Sequence, residues 1–258
     1  MSDLDKEIVL IGIGEIGGVI AKGFLRQGYT LHPITREMDI EQRAAQVPEP
    51  TLVVVAVGEK DLPSVLEKLP DHWRQRVCLL QNELLPSDWV GLPDPTVISI
   101  WFEKKPGMDP KVIIPSPVYG PDAEMLSKAL TAVNIPTNQL QDEDQLLFQL
   151  VLKNLYILTT NIAGLKTGGT VGELWQNHRL FAESVAKEVI LLQQAMTNRS
   201  FDEEALIAAM LVAFDGDPDH KCMGRSAPVR LQRALSHADT LKLELPQLRQ
   251  LEQLQSAN

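Results

Sequence analysis

Short, continuous apolar runs alternate with helical patterns over the first half of the chain. Five such runs predict strands that are buried on both faces: 8–13, 29–35, 52–57, 77–81 and 97–101. Between the first two, residues 16–24 repeat apolar side chains at helical spacing, and Gly28 stands where a helix C-terminal glycine belongs. Strand, helix and strand in this order predict parallel pairing through right-handed crossovers.

Helices alone are predicted after about residue 141. Helical periodicity runs through four segments: 142–165, 171–196, 202–214 and 228–241. The sequence therefore predicts an α/β fold of two domains. We expect an N-terminal Rossmann-type parallel-sheet domain over residues 1–141 and an all-helical C-terminal domain over residues 142–258.

Composition narrows the class of protein. The chain has 258 residues, of which 44% are hydrophobic and 22% charged, as in ordinary globular proteins. A net charge of −10 argues against nucleic-acid binding as a main function. Residues 1–7 lack the basic and apolar character of a secretory signal, and the most apolar stretch, 146–165, contains Lys153, Asn154 and Asn161. We therefore expect a cytoplasmic protein that does not enter a membrane. The cysteines and histidines lack the spacing of metal ligands, so we expect no metal site.

A glycine motif follows the first predicted strand and opens the first predicted helix. Residues 12–17 read Gly-Ile-Gly-Glu-Ile-Gly, which matches G-x-G-x-x-G in its required context. Gly12 permits the tight turn, Gly14 lets the backbone approach a pyrophosphate, and Gly17 lets helix and strand pack closely. We predict a dinucleotide site that also includes Glu15 and Ile16, against the alternative of a glycine-rich turn without a ligand.

The end of the second strand distinguishes the two nicotinamide dinucleotides. Sites that prefer NAD place a carboxylate there for the ribose hydroxyls, whereas this chain has Thr35 and Arg36. A guanidinium binds a 2′-phosphate well, and the threonine adds a hydroxyl donor. We therefore favour NADP(H). Glu37 and Asp39 remain candidates for binding the ribose if the strand ends two residues later. The alternative for Arg36 is an ordinary surface arginine that contacts only solvent.

Two further strand ends are expected to line the cofactor crevice, because ligands bind beyond the carboxyl ends of parallel strands. Val57 and Gly58 end the third strand, and Gln81 and Asn82 end the fourth. Asn82 is a candidate for bonding ribose, nicotinamide or substrate. An ordinary turn residue is an equally good interpretation of this asparagine.

A single lysine interrupts an otherwise apolar helix. On a helical wheel Thr160 lies within about 20° of Lys153 and Asn161 within about 80°. An ammonium in apolar surroundings has a lowered pKa and can protonate a carbonyl oxygen as a hydride arrives. The alternative is a lysine whose ammonium extends to solvent. If the pattern of this helix is considered without the rest of the chain, it favours that alternative.

Together these motifs resemble those of the ketopantoate reductase (2-dehydropantoate 2-reductase) family, over nearly the whole chain. The glycine motif at 12–17 is similar to the family's first motif, and Arg36 to its NADP-selecting arginine. Asn82 resembles the asparagine of its His-Asn-Gly loop, although Glu83 replaces the glycine. Lys153 resembles its catalytic lysine.

The resemblance implies NADPH-dependent reduction of a small α-keto acid to a 2-hydroxy acid, as in pantothenate biosynthesis. The site would lie in a cleft between a Rossmann and a helical domain, and the helical domain would support a homodimer. Lys153 and Asn161 would be catalytic, with substrate contacts from Asn82, Thr160, Asn161 and Ser226.

The substrate half departs from the family pattern more than the cofactor half does. Ile157 replaces the family's asparagine, and Lys221-Cys222-Met223 replaces its Ser-Ser-Met. The family's downstream glutamate has no counterpart, since its place falls at Ser226 or Ala234. Each lost hydrogen-bond partner costs about 1–3 kcal/mol. A second hypothesis is therefore a catalytically lapsed NADP(H)-binding or sensing protein with this fold. A third is a two-domain reductase of the hydroxyisobutyrate or pyrroline-carboxylate type. The hydroxyacid relatives have a K-x-x-x-N pattern, and Ile157 stands where that pattern requires asparagine.

Overall fold

The computed structural model describes residues 6–256, which form two compact units that divide between Gln149 and Leu150. Residues 1–5, which include most of the polar start considered above, and residues 257–258 lie outside the described part. The first unit contains β1 Glu7–Ile11, α1 Glu15–Arg26, β2 Thr30–Ile34, α2 Ile40–Gln46, β3 Leu52–Val55, α3 Leu62–Glu67, β4 Val77–Leu79, β5 Thr96–Ile98, β6 Phe102–Glu103, β7 Lys111–Val112, β8 Ser116–Tyr119, α4 Ala123–Thr131 and β9 Thr137–Gln139. Helix α5, Glu143–Thr167, crosses the division, and the second unit continues with α6 Val171–Asn177, α7 Arg179–Thr197, α8 Glu203–Gly216, α9 Ala227–Leu241 and α10 Pro246–Ser256.

Seven strands of the first unit form one sheet in the order β2-β1-β3-β4-β5-β8-β9. Strands β1 to β5 are paired in parallel, and the four residues of β3 are fully buried. A parallel sheet with helices, followed by helices alone, confirms the predicted fold class. Strand β8 pairs antiparallel with β5, because the chain returns between them through the β6–β7 hairpin and not through a crossover helix.

Helix α1 packs closely against helix α4 and the core of the first unit. A Cβ on Gly23 would lie 2.4 Å from the carbonyl oxygen of Ala129, so α1 and α4 pack backbone to backbone at this point. Ile20 and Phe24, on the same face of α1, are fully buried in the core of the first unit. This packing fixes the N-terminus of α1 next to the end of β1.

The second unit is helical, with one difference from the sequence prediction. The helix predicted over 171–196 is two helices, α6 and α7, which meet at His178. The backbone there is not helical, with φ −134° and ψ 29°. Thr170 and Glu173 begin α6 with a capping box, in which each side chain accepts a hydrogen bond from the other residue's backbone N–H. The apolar periodicity runs through the break, which is why it predicted one helix.

Helix α5 has the length and composition of a membrane-spanning helix, but 78% of its most apolar window is buried inside the structure. Several of its buried polar residues are hydrogen-bonded inside the structure. Asn154, for example, donates a 2.9 Å hydrogen bond to Gln193 of α7. These are features of the core helix of a globular domain.

Candidate functional site

The turn between β1 and α1 has the shape that a pyrophosphate requires. Gly12 has φ +93°, and a Cβ there would lie 2.6 Å from the carbonyl oxygen of Ala56. A Cβ on Gly17 would lie 2.4 Å from the carbonyl oxygen of Gly12. Gly14, the N-cap of α1, has only open space where its Cβ would be. The first N–H groups of α1 are therefore accessible to an anion, and the residues present fit a dinucleotide.

The two other predicted residues of this motif have different surroundings. The side chain of Ile16 packs against the apolar core, so only its backbone is available to a cofactor. The carboxylate of Glu15 accepts a 2.7 Å hydrogen bond from the ammonium of Lys104, which offsets the negative charge beside a phosphate site. A cavity of about 740 Å³ opens here and continues along α1 past Lys22 and Arg26.

Thr35 and Arg36 follow β2 directly, because the strand ends at Ile34. Both are exposed. The Arg36 guanidinium lies 3.6 Å from the carboxylate of Asp61, and 85% of its side chain is accessible. Such an exposed pair is weak and exchanges readily for a phosphate. Asp39, the alternative ribose ligand, instead accepts a hydrogen bond from Gln42 as the N-cap of α2.

The ends of β3 and β4 are joined by a buried amide. The side chain of Gln81 donates to the carbonyl oxygens of Val55 and Val57, at 2.6 and 3.2 Å. Val57 also lies beside the glycine turn, since its Cγ1 would be 3.1 Å from a Cβ on Gly12. Gly58, directly after Val57, is exposed, and Asn82, directly after Gln81, is half-buried. The predicted cofactor residues of β1, β3 and β4 therefore lie at one edge of the sheet.

Glu83 has a backbone that favours glycine. Its φ is +58°, in the left-handed region, and this is the position at which the resemblance expects a glycine. A side chain costs about 1–2 kcal/mol in that conformation. The loop after β4 therefore keeps a glycine-type turn although the glycine is absent.

Lys153 lies in the second unit beside a second cation. Its side chain is half-buried, and its Nζ lies 5.8 Å from the centre of the Tyr156 ring. Burial, and then the nearby Arg230 guanidinium, lower the pKa of Lys153 to about 7. Arg230 also donates a 3.0 Å hydrogen bond to the Oδ1 of Asn161. The structure thus places Lys153 and Asn161 around one arginine.

The other predicted substrate residues differ in their surroundings. Thr160 is buried, and its hydroxyl donates to the carbonyl oxygen of Tyr156 within α5 at 2.8 Å, as helical threonines often do. Ile157 is also buried. Ser226 is exposed and precedes the first turn of α9. Within the described chain, Asn161 is the predicted substrate residue that the structure joins directly to the surroundings of Lys153.

Arg230 was missed by the sequence analysis. It stands 69 positions after Asn161, in helix α9. A local pattern carries no information on a pair so far apart. The one available signal was an arginine in the first turn of a predicted helix, which is weak evidence by itself.

Comparisons with known proteins define the fold. No protein-family model matches the sequence, and no curated protein matches it. The solved structure of 2-dehydropantoate 2-reductase from Porphyromonas gingivalis W83 is similar over 98% of this chain and 99% of its own, with TM-score 0.67 and 16% identity. The structure of dimeric ketopantoate reductase from Staphylococcus aureus is similar over 97% of this chain and 98% of its own, with TM-score 0.67 and 14% identity. The ternary structure of D-mandelate dehydrogenase with NADH and anilino(oxo)acetate is similar over 97% of each chain, with TM-score 0.67 and 12% identity. The chain therefore has the fold of the ketopantoate reductases, as the motif resemblance predicts.

Proposed function

We propose that this protein is an NADP(H)-dependent oxidoreductase that reduces a small α-keto acid to a 2-hydroxy acid. The observation that carries the proposal is Lys153, a lysine with a pKa near 7 beside Asn161 and Arg230. A group that titrates near neutral pH is suited to proton transfer. The ketopantoate reductase and mandelate dehydrogenase names of the structural neighbours support the same class of reaction.

The first unit supplies the cofactor site in this proposal. The backbone of Gly12, Gly14 and Gly17 would hold the pyrophosphate at the N-terminus of α1. Thr35 and Arg36 would hold the 2′-phosphate, and Asn82 the ribose or nicotinamide. When bound, the reduced nicotinamide supplies a hydride for the carbonyl carbon of the substrate.

The second unit supplies the proton. As the carbonyl carbon gains a hydride, its oxygen gains negative charge, and the Nζ of Lys153 donates a proton to that oxygen. The products would be the 2-hydroxy acid, the oxidised nicotinamide cofactor and the neutral lysine, which takes a proton from solvent before the next cycle. The lowered pKa makes Lys153 a stronger acid than an ordinary lysine, while a pKa near 7 leaves about half of it protonated at neutral pH.

This role of Lys153 predicts a specific pH dependence. The acid form is the active one, so kcat/KM for reduction should be level below about pH 7 and fall about tenfold per unit above it. An ordinary lysine would keep its proton until about pH 10.4. Initial rates between about pH 6 and pH 9.5, corrected for cofactor stability, measure this profile. A rate that stays level to pH 9 would exclude Lys153 as the acid.

Arg36 predicts the choice of cofactor. Arg36→Ala should weaken NADPH binding about 10- to 100-fold, because it removes charge-assisted hydrogen bonds to the 2′-phosphate. NADH, which lacks that phosphate, should bind within about twofold of the wild-type affinity. Calorimetric titration of both cofactors measures the difference. Arg43→Ala is the matched control, because Arg43 belongs to the next helix, α2, and its guanidinium donates a hydrogen bond to Gln46 of the same helix. Equal weakening of both cofactors would contradict the assignment.

A lapsed reductase is the second candidate function, and the buried Ile157 favours it. That protein would bind NADPH tightly and turn over no keto acid. A homodimer, as in the Staphylococcus aureus neighbour, and a cytoplasmic location belong to the proposal in either case.

A further inference from the structure

Asp61 brings a carboxylate to the place where the end of β2 has none. Its Oδ2 lies 3.6 Å from Nη2 of Arg36, and 40% of its side chain is accessible. The same oxygen would lie 3.9 Å from a Cβ on Gly58, in the loop after β3. The carboxylate therefore stands at the carboxyl edge of the sheet, between the segments that follow β2 and β3. Because it belongs to another loop than Arg36, a search for an acidic residue at the end of β2 does not find it.

The helix that follows Asp61 does not engage its carboxylate. Asp61 is the N-cap of α3, and within the part of the chain that the structure describes its side chain makes no cap hydrogen bond. Its ion pair with Arg36 is exposed, and such pairs contribute little to stability. The carboxylate of Asp39, in contrast, accepts a hydrogen bond from the N–H of Gln42 at the start of α2. Asp61, unlike Asp39, is therefore available to a ligand.

The two nicotinamide dinucleotides differ in the group that would meet this pair. NADPH has a phosphate at the 2′ position of the adenosine ribose, and NADH has a hydroxyl. A guanidinium suits the phosphate, whereas a carboxylate accepts hydrogen bonds from ribose hydroxyls. The carboxylate of Asp61 also offsets part of the charge of Arg36 and repels a phosphate. The pair should therefore hold NADH better, and NADPH less well, than an arginine alone.

We propose that Asp61 binds the ribose hydroxyls of NADH, so that this protein accepts both nicotinamide dinucleotides. The inference rests on the cofactor site of the proposed function and adds a second cofactor to it. With NADH, Arg36 stays paired with Asp61 while the carboxylate accepts a hydrogen bond from the 2′-hydroxyl. With NADPH, the guanidinium turns to the phosphate, and its 85% exposed side chain has the freedom to do so. Asp61 is thus a specificity-determining residue that lowers the preference for NADPH.

Calorimetric titration of the full chain with NADPH and with NADH tests this assignment. The wild type should bind NADH within about 20-fold of its affinity for NADPH, because each dinucleotide finds a charged partner at the ribose. Asp61→Asn should weaken NADH about 5- to 10-fold and tighten NADPH by about the same factor, since a neutral amide is a poorer acceptor and does not repel the phosphate. ADP-ribose and its 2′-phosphate, which lack the nicotinamide, should show the same two shifts and so locate the effect at the ribose.

Asp71→Asn is the matched control. Asp71 also forms an ion pair with an arginine, Arg74, at 3.4 Å. It lies in the helical turn that precedes β4, at the amino edge of the sheet, and its substitution changes the net charge equally. Both affinities should stay within about twofold of the wild type, because the cofactor site is at the opposite edge. Thermal unfolding should give wild-type Tm values for both variants.

The assignment to Asp61 is overturned if Asp61→Asn binds NADH as the wild type does, whatever its effect on NADPH. It is also overturned if Asp71→Asn weakens NADH as much, or if the wild type does not bind NADH. Binding of both dinucleotides with the expected shifts supports the assignment even if no keto acid is turned over. In that case the reductase function alone fails.

Discussion

Lys153→Ala lowers the rate of keto acid reduction about 100- to 10,000-fold, which is the usual contribution of a general acid. The affinity for NADPH should stay within about twofold, because the glycine motif and Arg36, the proposed cofactor residues, belong to the other unit. Single-turnover rates at saturating NADPH measure the chemical step, and fluorescence titration measures the affinity. The effect is on kcat, since alanine cannot protonate the carbonyl oxygen.

Lys166→Ala is the matched control for this variant. Lys166 lies near the end of the same helix, is exposed, and has its ammonium 4.6 Å from the centre of the Phe181 ring. Its loss should leave both turnover and cofactor affinity unchanged. If Lys153→Ala retains full activity, or if both lysine variants lose activity equally, Lys153 is not the acid.

Gly14→Ala weakens NADPH binding at least about tenfold without destabilising the protein. The new Cβ meets no protein atom within 4 Å, and the φ of Gly14, −79°, suits alanine. The methyl group instead occupies the space through which a phosphate approaches the N–H groups of α1, and a hydrogen bond to a charged group contributes about 1.5–3 kcal/mol. Calorimetry with NADPH measures the affinity, and thermal unfolding measures the stability.

Gly18→Ala adds the same methyl group one helical turn later. Its Cβ also meets no protein atom within 4 Å, so the fold should accept it. Alanine is the better helix former by about 0.5–1 kcal/mol, so the variant should be slightly more stable. Gly18 lines the same cavity but lies one turn beyond the first N–H groups of α1, so NADPH binding should weaken less than in Gly14→Ala. If Gly14→Ala binds NADPH normally, the pyrophosphate does not lie at this turn. If it unfolds, the loss of binding has a structural cause.

The sequence predicts the strand, turn and helix around the glycine motif well because their signals are local. A buried strand, a glycine motif and an amphipathic helix follow one another within 20 residues of the chain, from Glu7 to Arg26. The predicted strands at 8–13 and 52–57 nevertheless extend past their ends at Ile11 and Val55. Apolar residues continue into the turns there, so hydropathy does not mark the point at which strand pairing stops.

The substrate half depends on contacts between distant residues, which periodicity does not reveal. The Arg230–Asn161 bond joins two helices, and the hydroxyl of Thr160 bonds its own helix although the wheel places it near Lys153. Antiparallel pairing of β8 likewise depends on the path of the β6–β7 hairpin. The sequence proposes Lys153 and Asn161 as candidates, but their link to Arg230 is visible only in the folded chain.

The most direct test of the reductase proposal is NADPH consumption by the purified protein with a panel of α-keto acids that includes ketopantoate. The account predicts saturable turnover of at least one acid, lost in Lys153→Ala and retained in Lys166→Ala. NADPH binding without turnover of any acid would contradict the reductase and support the lapsed, cofactor-binding protein. Absence of NADPH binding would contradict the assignment of the glycine turn and Arg36 as well.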